Sequence, residues 1–403
     1  MQLDSPFQLT YCTNIHPGEH WDEVFQSLKT HTLPIKQSVA PDQPFGIGLR
    51  LSDLASREIL AGDALTEFKA WLGEHDLYVF TMNGFPYGGF HHQRVKDEVH
   101  APDWTTPERL AYTIRLFDIL GELLPAGMEG GISTSPISYK YWHKTPADLE
   151  AATEKGIQHM LEVARHLHHW ETEKGVWMHL DIEPEPDGIL ENTQEVLDFY
   201  RDQLIPHGIA KFGEWFGYSP EESAKLIRRY LTICYDVCHF AVAYEAPSMT
   251  FAAFEQADIP IGKIQISAAL KATFPQDPQQ RAPWAQAFGA FNESTYLHQV
   301  IARTQSGDLV QYPDLPQALD QILLPEVAEW RTHFHVPIFL EDYHLLQPTQ
   351  DAIIATLEAI QQRPNCRHLE VETYTWDVLP KDMQTDLTSS ISRELEWVLN
   401  QFA

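Results

Sequence analysis

The chain alternates between two hydrophobic periods. Short apolar runs rich in β-branched and aromatic residues recur, each followed by polar positions and then by apolar positions three and four apart. The runs occupy residues 7–14, 45–51, 77–84, 130–136, 176–183, 231–238, 263–267, 336–341 and 368–374. Helical spacing covers 106–124, 147–173, 192–205, 219–230 and 349–362. Ser219 stands before Pro220, Glu221 and Glu222, and Thr106 before Pro107 and Glu108. Both are helix starts: the hydroxyl accepts an early backbone N–H, and proline has none to leave unbonded in the first turn. Strand–helix alternation of this kind builds a parallel sheet flanked by helices.

Nine strand candidates compete for eight places in a closed (β/α)8 TIM barrel. The run 336–341 is taken as the extra, because it follows a long segment rich in Pro, Gln and Trp. That segment, 271–330, reads as an insertion in the loop after the seventh strand, and 381–403 reads as a C-terminal helix. Residues 1–403 are therefore expected to form one barrel domain, a size that such barrels reach with insertions of roughly this length.

Composition narrows the function. Hydrophobic residues make up 43%, enough for a large core. Net charge is −29, which repels phosphate backbones and anionic lipid, so no nucleic-acid partner is expected. The first residues, MQLDSPFQLTYCTN, lack a basic start and an apolar stretch, and no run is long enough to span a bilayer. A cytoplasmic protein without membrane insertion is expected. Cys12, Cys234, Cys238 and Cys366 lack zinc-ribbon spacing and read as reduced core thiols. Histidine is abundant at 20, which makes metal ligation and proton transfer worth seeking.

In a barrel, polar residues at the C-terminal strand ends converge on one site. The first strand runs into Asn14 and His16, the second ends in Arg50, and the third ends in Asn83 before FPYGGFHH with His91 and His92. The fifth, WMHLDIEPEPDG, ends at Glu183. The sixth, TICYDVCHF, carries Asp236 and His239, and the seventh ends near Gln265. HFHVP supplies His333 and His335, and the last, EVETYTWDVLP, supplies Glu372 and then Trp376. Carboxylates, an Asp and an imidazole or amide make a mixed O/N set without thiolate. It suits Mn, Mg, Co or Zn rather than a structural zinc. Glu183, Asp236, Gln265, His335 and Glu372 are the expected metal ligands. Glu183, Glu372 and His239 are the expected proton-transfer groups. Asn14, His16, Arg50, Asn83, His91 and Trp376 are the expected substrate contacts. Such a centre would polarise a hydroxy-carbonyl substrate while a carboxylate removes the adjacent proton. Alternation adds a constraint: Asp181 shares a face with Glu183, and Glu370 with Glu372. So many inward carboxylates require a metal, a salt-bridge network, or a strand that ends early. Lys263, at the start of its strand, reads as facing solvent or a salt bridge.

The strings LTYCTNIHPGE, FGIGLRLS, NGFPYGGFH, HLDIEPEPDG, CYDVCHF, KIQIS, HFHVP and ETYTWDVLP resemble the EboE family of metabolite traffic proteins, from about residue 9 to about 380. The resemblance implies a xylose-isomerase-like barrel acting on, or handing on, a small metabolite alongside other proteins of one pathway. In the wider superfamily of sugar isomerases, 3-epimerases and endonuclease IV, Glu183, Asp236, His239 and Glu372 match the site pattern. Gln265 stands where a His is usual. The resemblance implies an isomerase or epimerase of a sugar, cyclitol or related polyol. The alternatives are a non-catalytic carrier and a metal-dependent hydrolase.

Overall fold

The computed structural model describes residues 1–3, 6–89, 91, 94–376, 379 and 386–402. Seven parallel strands come first: β1 (Gln8–Tyr11), β2 (Phe45–Arg50), β3 (Leu77–Asn83), β4 (Gly130–Thr134), β5 (Met178–Ile182), β6 (Leu231–Asp236) and β7 (Ile261–Ile266). After β7 the chain leaves the ring and forms five further strands: β8 (Leu270–Thr273), β9 (Val300–Thr304), β10 (Leu309–Tyr312), β11 (Val327–Thr332) and β12 (Gln347–Pro348). It returns as β13 (His368–Val371).

The eight-stranded sheet runs β1-β13-β7-β6-β5-β4-β3-β2, and every pair is parallel. A bridge between Cys12 and Gly48 joins the two ends of that order, so the strands close into a (β/α)8 barrel. The helices start where the sequence signals them. Ser219 accepts from the backbone N–H of Glu222, and the Glu222 carboxylate returns the bond, opening the helix Pro220–Tyr230. Thr106 caps Pro107–Leu123 by accepting from the backbone N–H of Arg109, without a returning carboxylate. The expected helix at 192–205 is instead one continuous run with a wide π turn at Phe199–Leu204 inside it.

The run 336–341 is not a strand, because Val336 and Ile338 are buried in an irregular connection. The excursion after β7 folds as an antiparallel sheet, β10-β9-β11-β8-β12. Its outer strand β10 is mostly exposed, which leaves no apolar alternation to read in sequence.

Inside the ring, the inward carboxylates of the lower layer are paired. Lys263 Nζ lies 2.5 Å from Glu370 Oε2, and both side chains are completely buried. The expectation of a solvent-facing Lys263 fails. The bulge where β6 meets β7 turns this residue inward, and the salt-bridge alternative holds. Asp181 accepts from Thr232 and lies 2.6 Å from His179 Nδ1. Glycines make the room. A Cβ at Gly48 would stand 1.7 Å from Glu370 Oε1, and one at Gly262 would stand 2.0 Å from Asp181 Oδ1.

A further buried carboxylate ties the C-terminal helix Leu387–Asn400 to the mouth of the barrel. Glu394 Oε1 accepts from the backbone N–H of Ile338 at 3.1 Å and from Thr373 Oγ1 at 2.7 Å. Burial pushes its carboxyl up to about 7 from an ordinary 4.5, with the two hydrogen bonds opposing.

Two stability predictions follow from these contacts. Lys263→Met leaves Glu370 buried and uncompensated and is expected to cost about 3–5 kcal/mol. Lys263→Met/Glu370→Leu is expected to recover most of that loss in denaturant unfolding. A folded Glu394 that holds its proton to about pH 7 stabilises the fold fully below pH 4.5 and surrenders that contribution as pH rises to 7. Between those limits, the stability of Glu394→Gln relative to wild type is expected to improve by about 3 kcal/mol. Thermal or denaturant unfolding across that pH range reads it out.

Candidate metal centre

Glu183 follows β5, Asp236 ends β6, Glu372 follows β13, and His239 lies one helical turn beyond Asp236. The strands therefore deliver these groups to the C-terminal mouth. His333 and His335 arrive from the excursion, directly after β11. Single ligand atoms from Glu183, Asp236 and Glu372 lie within 4.8 Å of one another, as do those from Asp236, His239 and His335. Cys238, His333 and His335 form a third such group, with Cys238 also packed among Val242, Ala269 and Ile301.

What marks this cluster is how its hydrogen bonds are divided. The Nδ1–H of His239 donates to Pro184 O at 2.9 Å, that of His335 to Glu372 O at 3.1 Å, and that of His333 to Gln299 Oε1 at 2.8 Å. Gln299 is oriented for this role because its amide N–H donates to Pro186 O at 3.1 Å. Each ring thus keeps the Nε2 lone pair free. His239 Nε2 and His335 Nε2 each stand 3.8 Å from Asp236 Oδ2.

The carboxylates follow the same rule. Asp236 Oδ1 accepts from His239 N at 3.1 Å and from Ser267 Oγ at 2.7 Å, while Oδ2 has no partner. Glu372 Oε1 accepts from Asn14 Nδ2 and Asn83 Nδ2, both at 2.8 Å. Buried Glu183 Oε2, His333 Nε2 and His335 Nε2 likewise lack hydrogen-bond partners. Unpaired buried polar atoms are costly, and those of Glu183, Asp236 and His335 fall in two groups that share Asp236, either of which a cation would satisfy. The mixed carboxylate–imidazole donor set fits a divalent ion such as Mn, Co or Zn.

Burial, then Glu372 and Asp236, raise the Glu183 carboxyl well above its ordinary range. Burial, then Asp236 and Glu370, do the same to Glu372, with Lys263 opposing. Burial and neighbouring imidazoles hold His239 and His333 well below theirs, so these rings are neutral donors at pH 7.

The cavity over the cluster is lined by Asn14, Asn83, Glu183, His239, His335 and Glu372 of the expected residues, and also by His333. Asn14 and Asn83, expected to hold substrate, hold Glu372. Gln265 is buried beside Asp236 and Glu370 in register, but does not line the cavity, and neither of its amide atoms has a partner. His16 and Arg50 line a smaller neighbouring pocket instead. Arg50 spends its guanidinium on Gly18 O at 3.0 Å and on Gly88 O. His16 stacks on His31 with ring centroids 4.4 Å apart. His91 bonds Asn14 O at 2.6 Å, and Trp376 is buried off the cavity wall. His92 lies outside the described residues.

Sequence reasoning missed Lys96, His100, Glu185, Tyr296, Gln299 and Tyr374, which also line the cavity. Glu185 was signalled by its place two residues after Glu183. His100 lies in a short 3-10 turn with no periodic pattern around it, yet its Nε2 sits 2.6 Å from Glu185 Oε1.

No family model matches the sequence, and no curated protein matches it. Solved structures do align with it along its length. A xylose isomerase-like TIM barrel protein from Mycobacterium smegmatis, in complex with magnesium, aligns with TM-score 0.47 and 11% identity, covering 99% of this chain and 96% of its own. The IolI protein with a bound zinc atom aligns at 0.46 and 11%, covering 98% of each chain. The probable 3-DHS dehydratase AsbF from Bacillus anthracis aligns at 0.43 and 11%, covering 97% and 98%. At this distance the likeness concerns the course of the chain, and the centre rests on its own geometry. Among the described residues, no helix is long and apolar enough to cross a membrane.

Protein reconstituted with Mn, Co or Zn is expected to retain metal through gel filtration. Asp236→Asn and His335→Ala are expected to lower affinity by at least tenfold, with fold checked by circular dichroism. Raised carboxyl groups bind protons in competition with metal, so affinity is expected to fall as pH drops.

Proposed function

We propose that this protein is a divalent-metal-dependent enzyme that moves a proton on a sugar, cyclitol or related polyol, in the manner of an isomerase or epimerase. The observation that carries this reading is the convergence of unpartnered Glu183 Oε2, Asp236 Oδ2, His333 Nε2 and His335 Nε2 at one barrel mouth. Glu183, Asp236, Glu372 and His335 would hold the ion. When bound, it would polarise a substrate oxygen and offset negative charge forming there.

The remaining chemistry belongs to the chain. Glu183 lines the cavity, where the carboxylate oxygen it does not give to the ion would take a proton from carbon beside a carbonyl. Glu372 is held by two amides, so ligation suits it better than proton transfer. His239, neutral with Nε2 open and Nδ1 fixed, would accept a proton from a neighbouring substrate hydroxyl. Return of the proton by Glu183 to the adjacent carbon would complete an isomerisation, whereas an epimerisation would draw a different proton from the opposite face.

The resemblance to the EboE family supports setting this reaction in the making or moving of a small metabolite, with other proteins of that pathway as partners. Gln265, off the cavity wall and in place of the superfamily's His, favours a second reading in which the barrel binds its ligand and passes it on unchanged.

The test is proton exchange. Metal-loaded protein is incubated in D2O with a panel of aldoses, ketoses and cyclitols, and C–H signals are followed by NMR. Wild type is expected to wash deuterium into one panel member, and Glu183→Gln to slow this by about 100-fold or more. A fully metal-loaded wild type that binds a panel member without exchange would leave only the carrier.

A further inference from the structure

We propose that the cavity accepts a polyhydroxylated ring that bears no anionic group and rejects the phosphorylated form of the same ring; this deepens, and rests on, the polyol reading above. The inference comes from where the cations of the mouth are spent. Among the described residues, Lys96 is the only lysine or arginine lining the cavity. Its ammonium lies 2.6 Å from Asp314 Oδ2, and the two side chains are only 13% and 14% exposed. Asp314 is itself fixed, because its other oxygen accepts from the backbone N–H groups of His298 and Leu315.

Two nearby arginines donate to backbone carbonyls, and Arg50 also stands 3.9 Å from Glu19 Oε2. Arg50 donates to Gly18 O and Gly88 O. Arg109, fully buried, donates to Gly84 O at 2.7 Å and to Phe85 O at 2.9 Å. Together they brace the 84–88 loop, and neither lines the cavity.

Against this stand three lining carboxylates, Glu183, Glu185 and Glu372. With a divalent ion in place, Glu183, Asp236 and Glu372 would bring three negative charges to two positive ones. The centre would still be net negative before Glu185 is counted. A phosphate monoester carries about −1.5 to −2 at neutral pH and needs charged donors when stripped of water. None is free here.

The rest of the wall suits a neutral ring. Phe85, Pro86, Val99, Tyr296, Leu297 and Tyr374 give an apolar side, facing amides, carboxylates and imidazoles on the other. A cyclic polyol has the same division between C–H faces and hydroxyl edges.

The experiment is calorimetric titration of metal-loaded protein with matched pairs: myo-inositol and its 1-phosphate, xylose and its 5-phosphate, fructose and its 6-phosphate. At least one neutral member is expected to bind, with its phosphate at least tenfold weaker. A phosphate that binds as tightly as its neutral partner, or a panel in which no neutral member binds, overturns the inference. Asp314→Asn, which frees Lys96, is expected to narrow the gap, and an unchanged gap would refute the argument from cation balance. Metal content is measured on the same samples. Protein that takes up no metal sinks the proposed function itself, whereas metal-loaded protein that prefers phosphates sinks only this inference.

Discussion

A carboxylate taken out of water needs a positive partner, and the interior of this barrel holds five: Asp181, Glu183, Asp236, Glu370 and Glu372, each buried. The lower layer is internally balanced, Glu370 by Lys263 and Asp181 by His179. The upper layer is not. Among the described residues, Glu183, Asp236 and Glu372 have amides, a hydroxyl and neutral imidazoles around them, but no lysine or arginine in ion-pair contact. The same physical demand is met from within the chain at one level of the ring and left open at the next.

That division organises the surroundings. Glycines at 48 and 262 clear space for the lower carboxylates. Backbone carbonyls and Gln299 fix three imidazoles with the same ring nitrogen bonded and the same one free. Two of those imidazoles, and the amide that orients His333, come from the excursion after β7, so the barrel alone does not build the centre. The antiparallel sheet acts as a structural jig that sets His333 and His335 against strand ends placed by the parallel ring.

Much of this was readable from spacing. Glu183, Asp236, His239, His335 and Glu372 stand where polar residues at barrel strand ends have one place to go, and the structure sets them in two triads that share Asp236. The eight ring strands and most helix starts follow from period and caps. Position in a strand does not reveal depth, however. Gln265, Arg50 and Trp376 share the right end of the barrel yet stay off the cavity wall, because burial, backbone carbonyls or a neighbouring pocket claim them. Nor does spacing reveal partners: Asn14 and Asn83 meet Glu372 from 358 and 289 residues away. The strands of the excursion are short and partly exposed, and they carry no period strong enough to announce a sheet.

Closure of the ring places β1 beside β13, so that residues 8–11 pair with 368–371. A contact of that sequence separation is among the slowest a chain makes. During synthesis, the strands bearing Glu183 and Asp236 emerge well before the one bearing Glu372, and both histidines of the excursion emerge between them. The centre is therefore a late product of folding. An ion meeting the nascent chain finds a partial donor set, and full affinity arrives only when the last strand docks beside the first.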